Sequence, residues 1–445
     1  MKKLLVFILF LGFALAGPIQ YFRVKGIRGA VVPRKDIDSV VVYIVVRGGN
    51  SYDPAGKEGV SDLLTNLLVK GTEKYTAEEF SKRIETMGSE IDAYTDDEAI
   101  FIYGWSLKEH FGKTFSLVAD ALLHPAFREK EITKEKKRLI TSLAQKWDQP
   151  AYIASEFFKA KLLEGSPFGR EETPETVKKI TREDLLAYHR RFFNKKNIFV
   201  VIAGNIEPSE AKGMVEKYLS SLPKGKKASP LPLMVKTKTK VYIVDRPQAP
   251  QTQIRMGYVS LPFRSLKEMA ARRLANYILG GGGFSSRMMK IIRAKEGLTY
   301  GIYSYFSGFV KGDYFEITTF TKNETVGKAV DLTLKLVREF HEKGATQEEL
   351  EKAKGYYLGG YPLRLETPLD FAYRILIAEL YGYGKKYVYW ERNFIPSVKL
   401  KDVNRAARKY FYDRPMLIVC VGPANKIKAQ LEKFGPVEVV QPPKF

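Results

Sequence analysis

Arg293 and Tyr300 lie seven residues apart, behind four consecutive glycines, in the stretch GGGGFSSRMMKIIRAKEGLTY (Gly280–Tyr300). A guanidinium and a phenol both donate hydrogen bonds, and the guanidinium stays charged at any physiological pH. Spacing alone says little in a chain this rich in Arg and Tyr. An Arg closing a helix C-terminus and a strand Tyr packed on the core would look the same. The setting is what singles the pair out. Phe284, Met288, Met289 and Ile292 recur at helical spacing, so Arg293 falls in the last turn of a short helix. Gly297 ends that helix, and Tyr300 is expected to begin a strand. Gly280, Gly281, Gly282 and Gly283 together are costly in chain entropy. They suit a place where another backbone passes close by, or where a loop moves.

Other chemistry-bearing residues are sparse. The histidines are His110, His124, His189 and His341, and none has a second His within a helical turn. Each reads as a surface or core residue rather than a metal ligand. Cys420 is the only cysteine. It lies in an apolar strand and reads as a buried, inert thiol, so no disulfide framework is available.

The elements that must position these residues belong to a chain of 445 residues, 45% hydrophobic, with a formal charge of +23. That length predicts two to four domains. That charge points to nucleic acid, anionic lipid or an acidic partner. Met1-Lys2-Lys3, the apolar run Leu4–Leu15 and Ala14-Leu15-Ala16 read as a secretory signal peptide over residues 1–16. Export, to the periplasm, makes nucleic acid an improbable partner. A membrane surface is possible but not required. Removal of Lys2 and Lys3 takes two charges from +23 and leaves +21.

Along the chain, strands are expected at Gly29–Val32 and Ser39–Arg47, then amphipathic helices at Gly59–Val69 and Thr76–Met87. Thr76 with Glu79 forms a capping-box pattern. A hairpin spans Ile91–Tyr94 and Ala99–Trp105. Helices follow to Phe192, then an apolar strand at Ile198–Ala203. Residues 223–240, PKGKKASPLPLMVKTKTK, are proline- and lysine-rich without an acid and read as a basic, solvated linker. The second half repeats the order of the first. Ile180–Ile206 parallels Val398–Ala424: a helix ending in two aromatics, a basic turn, then an apolar strand ending in Gly. A repeat of about 200 residues implies two similar domains rather than a solenoid. The fold class is therefore α+β. Two homologous α/β-sandwich domains, 17–222 and 241–445, each carry a mixed, mostly antiparallel sheet with helices packed on it.

These features together resemble the pitrilysin/insulinase-like peptidases, including the mitochondrial processing peptidase. Gly59–Thr72 falls where that family carries an H-x-x-E-H helix before a "KGT" turn. Ile91–Thr95 matches its substrate-edge strand, and Gly280–Gly283 with Arg293 and Tyr300 matches its Gly-rich loop and Arg/Tyr pair. The resemblance implies zinc held by two His one turn apart, with a Glu between them as general base. Here the His positions are Asp62 and Asn66, the base position is Thr65, and the third ligand falls near Ser142. The zinc chemistry is lost, and this chain is expected to bind no metal.

The resemblance then implies the non-zinc subunit of a heterodimeric metallopeptidase that degrades or processes peptides. Its partner is a homologous subunit with an intact H-x-x-E-H motif, which carries the zinc. Arg293 and Tyr300 act in trans as catalytic donors to the scissile carbonyl, and Gly280–Gly283 form a flexible lip at the substrate channel. The alternative is a non-enzymatic structural or peptide-binding protein that keeps the fold.

Overall fold

The computed structural model describes residues 18–442; the expected signal peptide, residues 1–16, lies outside them. Two six-stranded sheets carry the fold. The first comprises β1 (Gln20–Val24), β2 (Ile27–Pro33), β3 (Ser39–Arg47), β4 (Glu90–Thr95), β5 (Ala99–Leu107) and β6 (Ile198–Gly204), in the order β1-β2-β6-β3-β5-β4. The second comprises β7 (Lys240–Asp245), β8 (Gln251–Val259), β9 (Ile302–Phe309), β10 (Gly312–Lys322), β11 (Leu417–Gly422) and β12 (Val437–Val440). Its order is β12-β7-β11-β8-β10-β9. The duplication is visible strand for strand. β2 pairs parallel with β6 as β7 pairs with β11, and the β3-β5-β4 meander recurs as β8-β10-β9. The edges beyond differ: β1 runs antiparallel to β2, whereas β12 runs parallel to β7.

Each central strand is buried on both faces, which is why β3 reads SVVVYIVVR with no polar alternation. Successive residues point to opposite faces. Val42 lies near Val118 of the Lys108–Leu123 helix, while Tyr43 stacks on Tyr373 with ring centroids 6.3 Å apart. Tyr373 belongs to the helix Pro368–Leu380, from the second half of the chain. The second sheet shows the reciprocal arrangement. Gly257 of β8 faces Phe158 of the helix Pro150–Leu162, from the first half, and Tyr258 faces Tyr410 of the helix Leu400–Tyr410.

The compact units follow this exchange, which the sequence ranges 17–222 and 241–445 do not show. One unit takes the residues up to Thr141, Glu172–Pro230 and Gly360–Val388; the other takes Ser142–Glu171, Leu231–Gly359 and the residues from Tyr389.

The expected linker departs from a solvated tether. Leu231, Leu233 and Val235 are half-buried against Phe158, Tyr242, Phe309 and Tyr314, and Leu233 N–H donates to Lys311 O at 3.0 Å. Met234, Lys236 and Lys238 between them face solvent. The alternation in LPLMVKTKTK is a period-two pattern that fits an extended strap laid on the second unit. The lysines ahead of it, Lys224, Lys226 and Lys227, are exposed as expected.

Candidate functional site

In the first unit the helix Val60–Leu68 carries Asp62, Thr65 and Asn66. Gly59 opens it at φ +105, a left-handed conformation that other residues seldom adopt, and a Cβ there would strike the Glu172 carboxylate. The buried Asp53 carboxylate accepts from the backbone N–H groups of Gly59 (2.7 Å) and Ser61 (3.0 Å), capping the helix. Burial pushes the Asp53 carboxyl up to about 7. Ser61 Oγ donates to Asn50 Oδ1 at 2.8 Å.

Thr65, the expected base position, is buried. Its hydroxyl donates to Ser61 O at 2.7 Å and lies 2.6 Å from Thr95 Oγ1. Thr95 closes β4, the edge strand of the sheet, so the two threonines fasten the motif helix to that edge. Asp62 and Asn66 are half-buried, one turn apart. A carboxylate, an amide and an engaged hydroxyl do not make a zinc site, which needs neutral imidazole or thiolate donors with an open position. Ser142, the expected third-ligand position, offers a hydroxyl where a carboxylate is required. It is half-buried on the helix Glu129–Trp147 and counts with the second unit. The carboxylate before it, Glu135, is buried and accepts from Arg138 Nε at 2.6 Å.

The histidines have structural surroundings. His189 Nε2 contacts Leu122 O at 2.8 Å and its ring stacks on Phe193; burial holds its pKa below the ordinary imidazole range. His341 Nδ1 contacts Phe411 O at 2.7 Å. His110 and His124 lie 3.5 and 3.9 Å from Glu109 and Glu73. Among the described residues no group of three or more His, Cys, Asp or Glu is placed to hold a metal ion. Cys420 is fully buried in β11, and burial raises its thiol far above the ordinary range.

In the second unit the expected helix Leu266–Leu279 stays α-helical only to Asn276. It then widens into a π-turn over Tyr277–Gly281. Asn276 and Ser304 explain the change. Asn276 Nδ2 donates to Ser304 O at 2.9 Å, and Ser304 Oγ donates back to Asn276 Oδ1 at 2.8 Å. This draws β9 against the helix end. A Cβ on Gly280 would strike Ser304 and Met288, and one on Gly281 or Gly282 would strike Asn276 or Tyr277. Only Gly283, at φ +54 with nothing within 4 Å, serves backbone conformation alone. Close approach accounts for the buried Gly280 and crowds Gly281 and Gly282, which stay partly open to solvent.

The following segment also widens into a π-helix, Met289–Lys295. Met288, Met289 and Ile292 are buried as the spacing predicts, but Phe284 is 70% exposed. The Arg293 guanidinium sits over the Phe284 ring, 4.6 Å from its centroid, and Nε donates to Tyr300 O at 3.0 Å. Tyr300 lies two residues before β9 rather than in it and is 78% exposed. The expected pair is thus brought together through a backbone carbonyl, with Tyr300 exposed and Arg293 half-buried. Phe284 is the member that sequence reasoning missed, because helical spacing assigns it to the core. The contact between Thr65 and Thr95 was also missed, since nothing local marks a strand-end threonine as the partner of Thr65.

Two family models match the chain: Insulinase (Peptidase family M16) over residues 30–172 and Peptidase M16 inactive domain over residues 179–357. The "Non-peptidase homolog YmxG" of Helicobacter pylori is 31% identical over 334 residues, covering 73% of this chain and 76% of that protein. An "Uncharacterized zinc protease" of Rickettsia bellii is 26% identical over 394 residues, covering 87% of this chain and 93% of that protein. A solved M16 inactive domain from Pseudomonas fluorescens superposes with a TM-score of 0.86 at 22% identity, covering 92% of this chain and 98% of that one. The chain belongs to the M16 peptidase family, and its match to the inactive-domain model and to a non-peptidase relative fits a catalytically incomplete homologue.

Proposed function

We propose that this chain is the non-zinc subunit of a heterodimeric M16 metallopeptidase that degrades or processes peptides outside the cytoplasm. It supplies Arg293 and Tyr300 in trans to a homologous partner with an intact H-x-x-E-H motif. The zinc belongs to that partner, where it would activate the attacking water.

One observation carries the reading. The Arg293 guanidinium is held at its Nε edge by Tyr300 O and across its face by Phe284, and the Tyr300 side chain beside it is exposed. A scaffold gains nothing from ordering a charged donor and a phenol on an exposed surface. A hydrogen-bond donor aimed at a partner's substrate does. Pre-ordered donors of this kind stabilise a developing oxyanion without reorganisation at the moment of reaction.

The second reading, a peptide-binding or structural protein, is favoured by the Thr65–Thr95 contact. It uses the former base position to brace the open edge strand β4. A quenched-peptide assay separates the two. This chain, an H-x-x-E-H homologue from the same organism, and their mixture are assayed with zinc analysis of each. Activity confined to the mixture, with zinc only on the homologue, supports the split site. No gain on mixing overturns it in favour of the binding protein.

A further inference from the structure

The helix Leu400–Tyr410 lies between the helices Leu266–Asn276 and Val326–Lys343 in the layer that covers one face of the second sheet. Val403, Ala406, Ala407 and Tyr410 form its buried side. Its exposed positions are Lys401, Arg405 and Arg408. At about 100° per residue these three fall within an arc of roughly 60°, so the outward face is one unbroken cationic stripe. Among the described residues no carboxylate forms an ion pair within 4.0 Å with any of the three, although Asp402 lies close enough to feel the charges of Lys401 and Arg405. The nearest carboxylates are already engaged. Asp402 accepts from Lys399 N–H at 3.0 Å and lies 3.7 Å from Lys267, while Glu268 accepts from Tyr410 OH at 2.8 Å and binds Lys409. Lys335 on the neighbouring helix adds a further exposed cation. Beside the stripe, a cleft of about 300 Å³ opens between the first two helices; Arg405, Lys267 and Lys409 line it together with Asp402 and Glu268, the carboxylates engaged by Lys267 and Lys409.

We propose that this face docks on an anionic phospholipid surface, the stripe spanning several headgroups and one phosphodiester entering the cleft beside Arg405. Charge complementarity selects this occupant. The stripe has no aromatic or aliphatic anchor of the kind that dominates protein–protein hot spots. It has no aromatic on which a nucleic-acid base would stack. A row of unpaired Lys and Arg without apolar anchors reads charge and not shape, which is what a headgroup layer presents. Among the described residues no helix is long and apolar enough to cross a membrane, so attachment through this face is peripheral.

Vesicle co-sedimentation tests it, with phosphatidylcholine alone and with one quarter phosphatidylglycerol, at 0.1 M salt. The full chain is expected to sediment only with the anionic vesicles, and K401E/R405E/R408E is expected to lower its apparent affinity at least tenfold. K130E/K134E/K137E, on the exposed face of the Glu129–Trp147 helix, removes the same charge elsewhere and is expected to lower it less than threefold. Equal loss in the two variants would show attraction by net charge alone and overturn the proposal. So would absence of binding by the unmodified chain, which would leave an acidic protein as the partner of this face. Release by millimolar inorganic phosphate at matched ionic strength would also overturn it, assigning the cleft to free phosphate. Circular dichroism of both triple variants verifies folding.

Discussion

The Thr65 hydroxyl lies 2.6 Å from the Thr95 hydroxyl, joining the helix that holds the degenerate zinc motif to the last residue of the edge strand β4. A Glu at position 65 would put a longer, charged side chain where this contact now sits.

That contact has a measurable strength. Thr65→Val removes a buried hydroxyl and Thr95→Val its half-buried partner, and each is expected to cost about 1 kcal/mol in urea unfolding. The double variant should cost less than the sum, with a coupling of roughly 0.5–1.5 kcal/mol. Strict additivity would mean that the contact carries no stability.

Arg293→Ala is expected to lower kcat of the mixed complex by about 10²–10³ while leaving the melting temperature of this subunit unchanged. Arg293→Lys keeps charge but loses the planar face on Phe284 and the fork, so it should recover only part of the activity. Phe284→Ala removes the ring beneath the guanidinium and is expected to cost roughly two- to fivefold. A drop in stability without a drop in kcat would return Arg293 to a structural role.

The glycines are expected to separate by mechanism. Gly280→Ala forces a Cβ into Ser304 and Met288 and should destabilise by about 1–3 kcal/mol, seen as a lowered denaturation midpoint. Gly283→Ala meets no neighbour and should cost only the left-handed conformation, on the order of 1 kcal/mol. A flexible-lip role for Gly280 predicts the reverse: little change in stability and a change in turnover.

Burial, with a smaller effect of Glu156, raises the Glu171 carboxyl to about 7. The folded state therefore holds this proton more tightly than the unfolded chain does. The stabilisation is fully present below the ordinary carboxylate range near 4.5 and is lost as pH rises through about 7. Glu171→Gln should flatten the decline in stability between pH 4.5 and 7 by on the order of 1–3 kcal/mol, read from denaturation midpoints across that range. An unchanged slope would show that Glu171 titrates normally.

Much of the architecture was written in local patterns. β3 announced itself by an unbroken β-branched run, and the Thr76–Glu79 capping box formed as the spacing required. The Arg182–Phe192 helix and the Leu417–Gly422 strand carried the repeat that revealed the two similar sheets. The features that escaped are those set by distant partners. The π-turn at Tyr277–Gly281 depends on Ser304, the exposure of Phe284 on Arg293, and the Thr65 contact on Thr95. Helical periodicity could not distinguish the Pro150–Leu162 and Pro368–Leu380 helices from covers for their own half, because an apolar face does not say which sheet it will bury.

That exchange has a consequence for how the molecule is made. The Tyr43 face of the first sheet stays bare until residues near 380 have been synthesised, and the Gly257 face of the second needs a helix made long before it. Neither half of the chain is a complete folding unit. A fragment ending in the 223–240 strap should aggregate or stay partly open, whereas that fragment and its complement expressed together should reassemble.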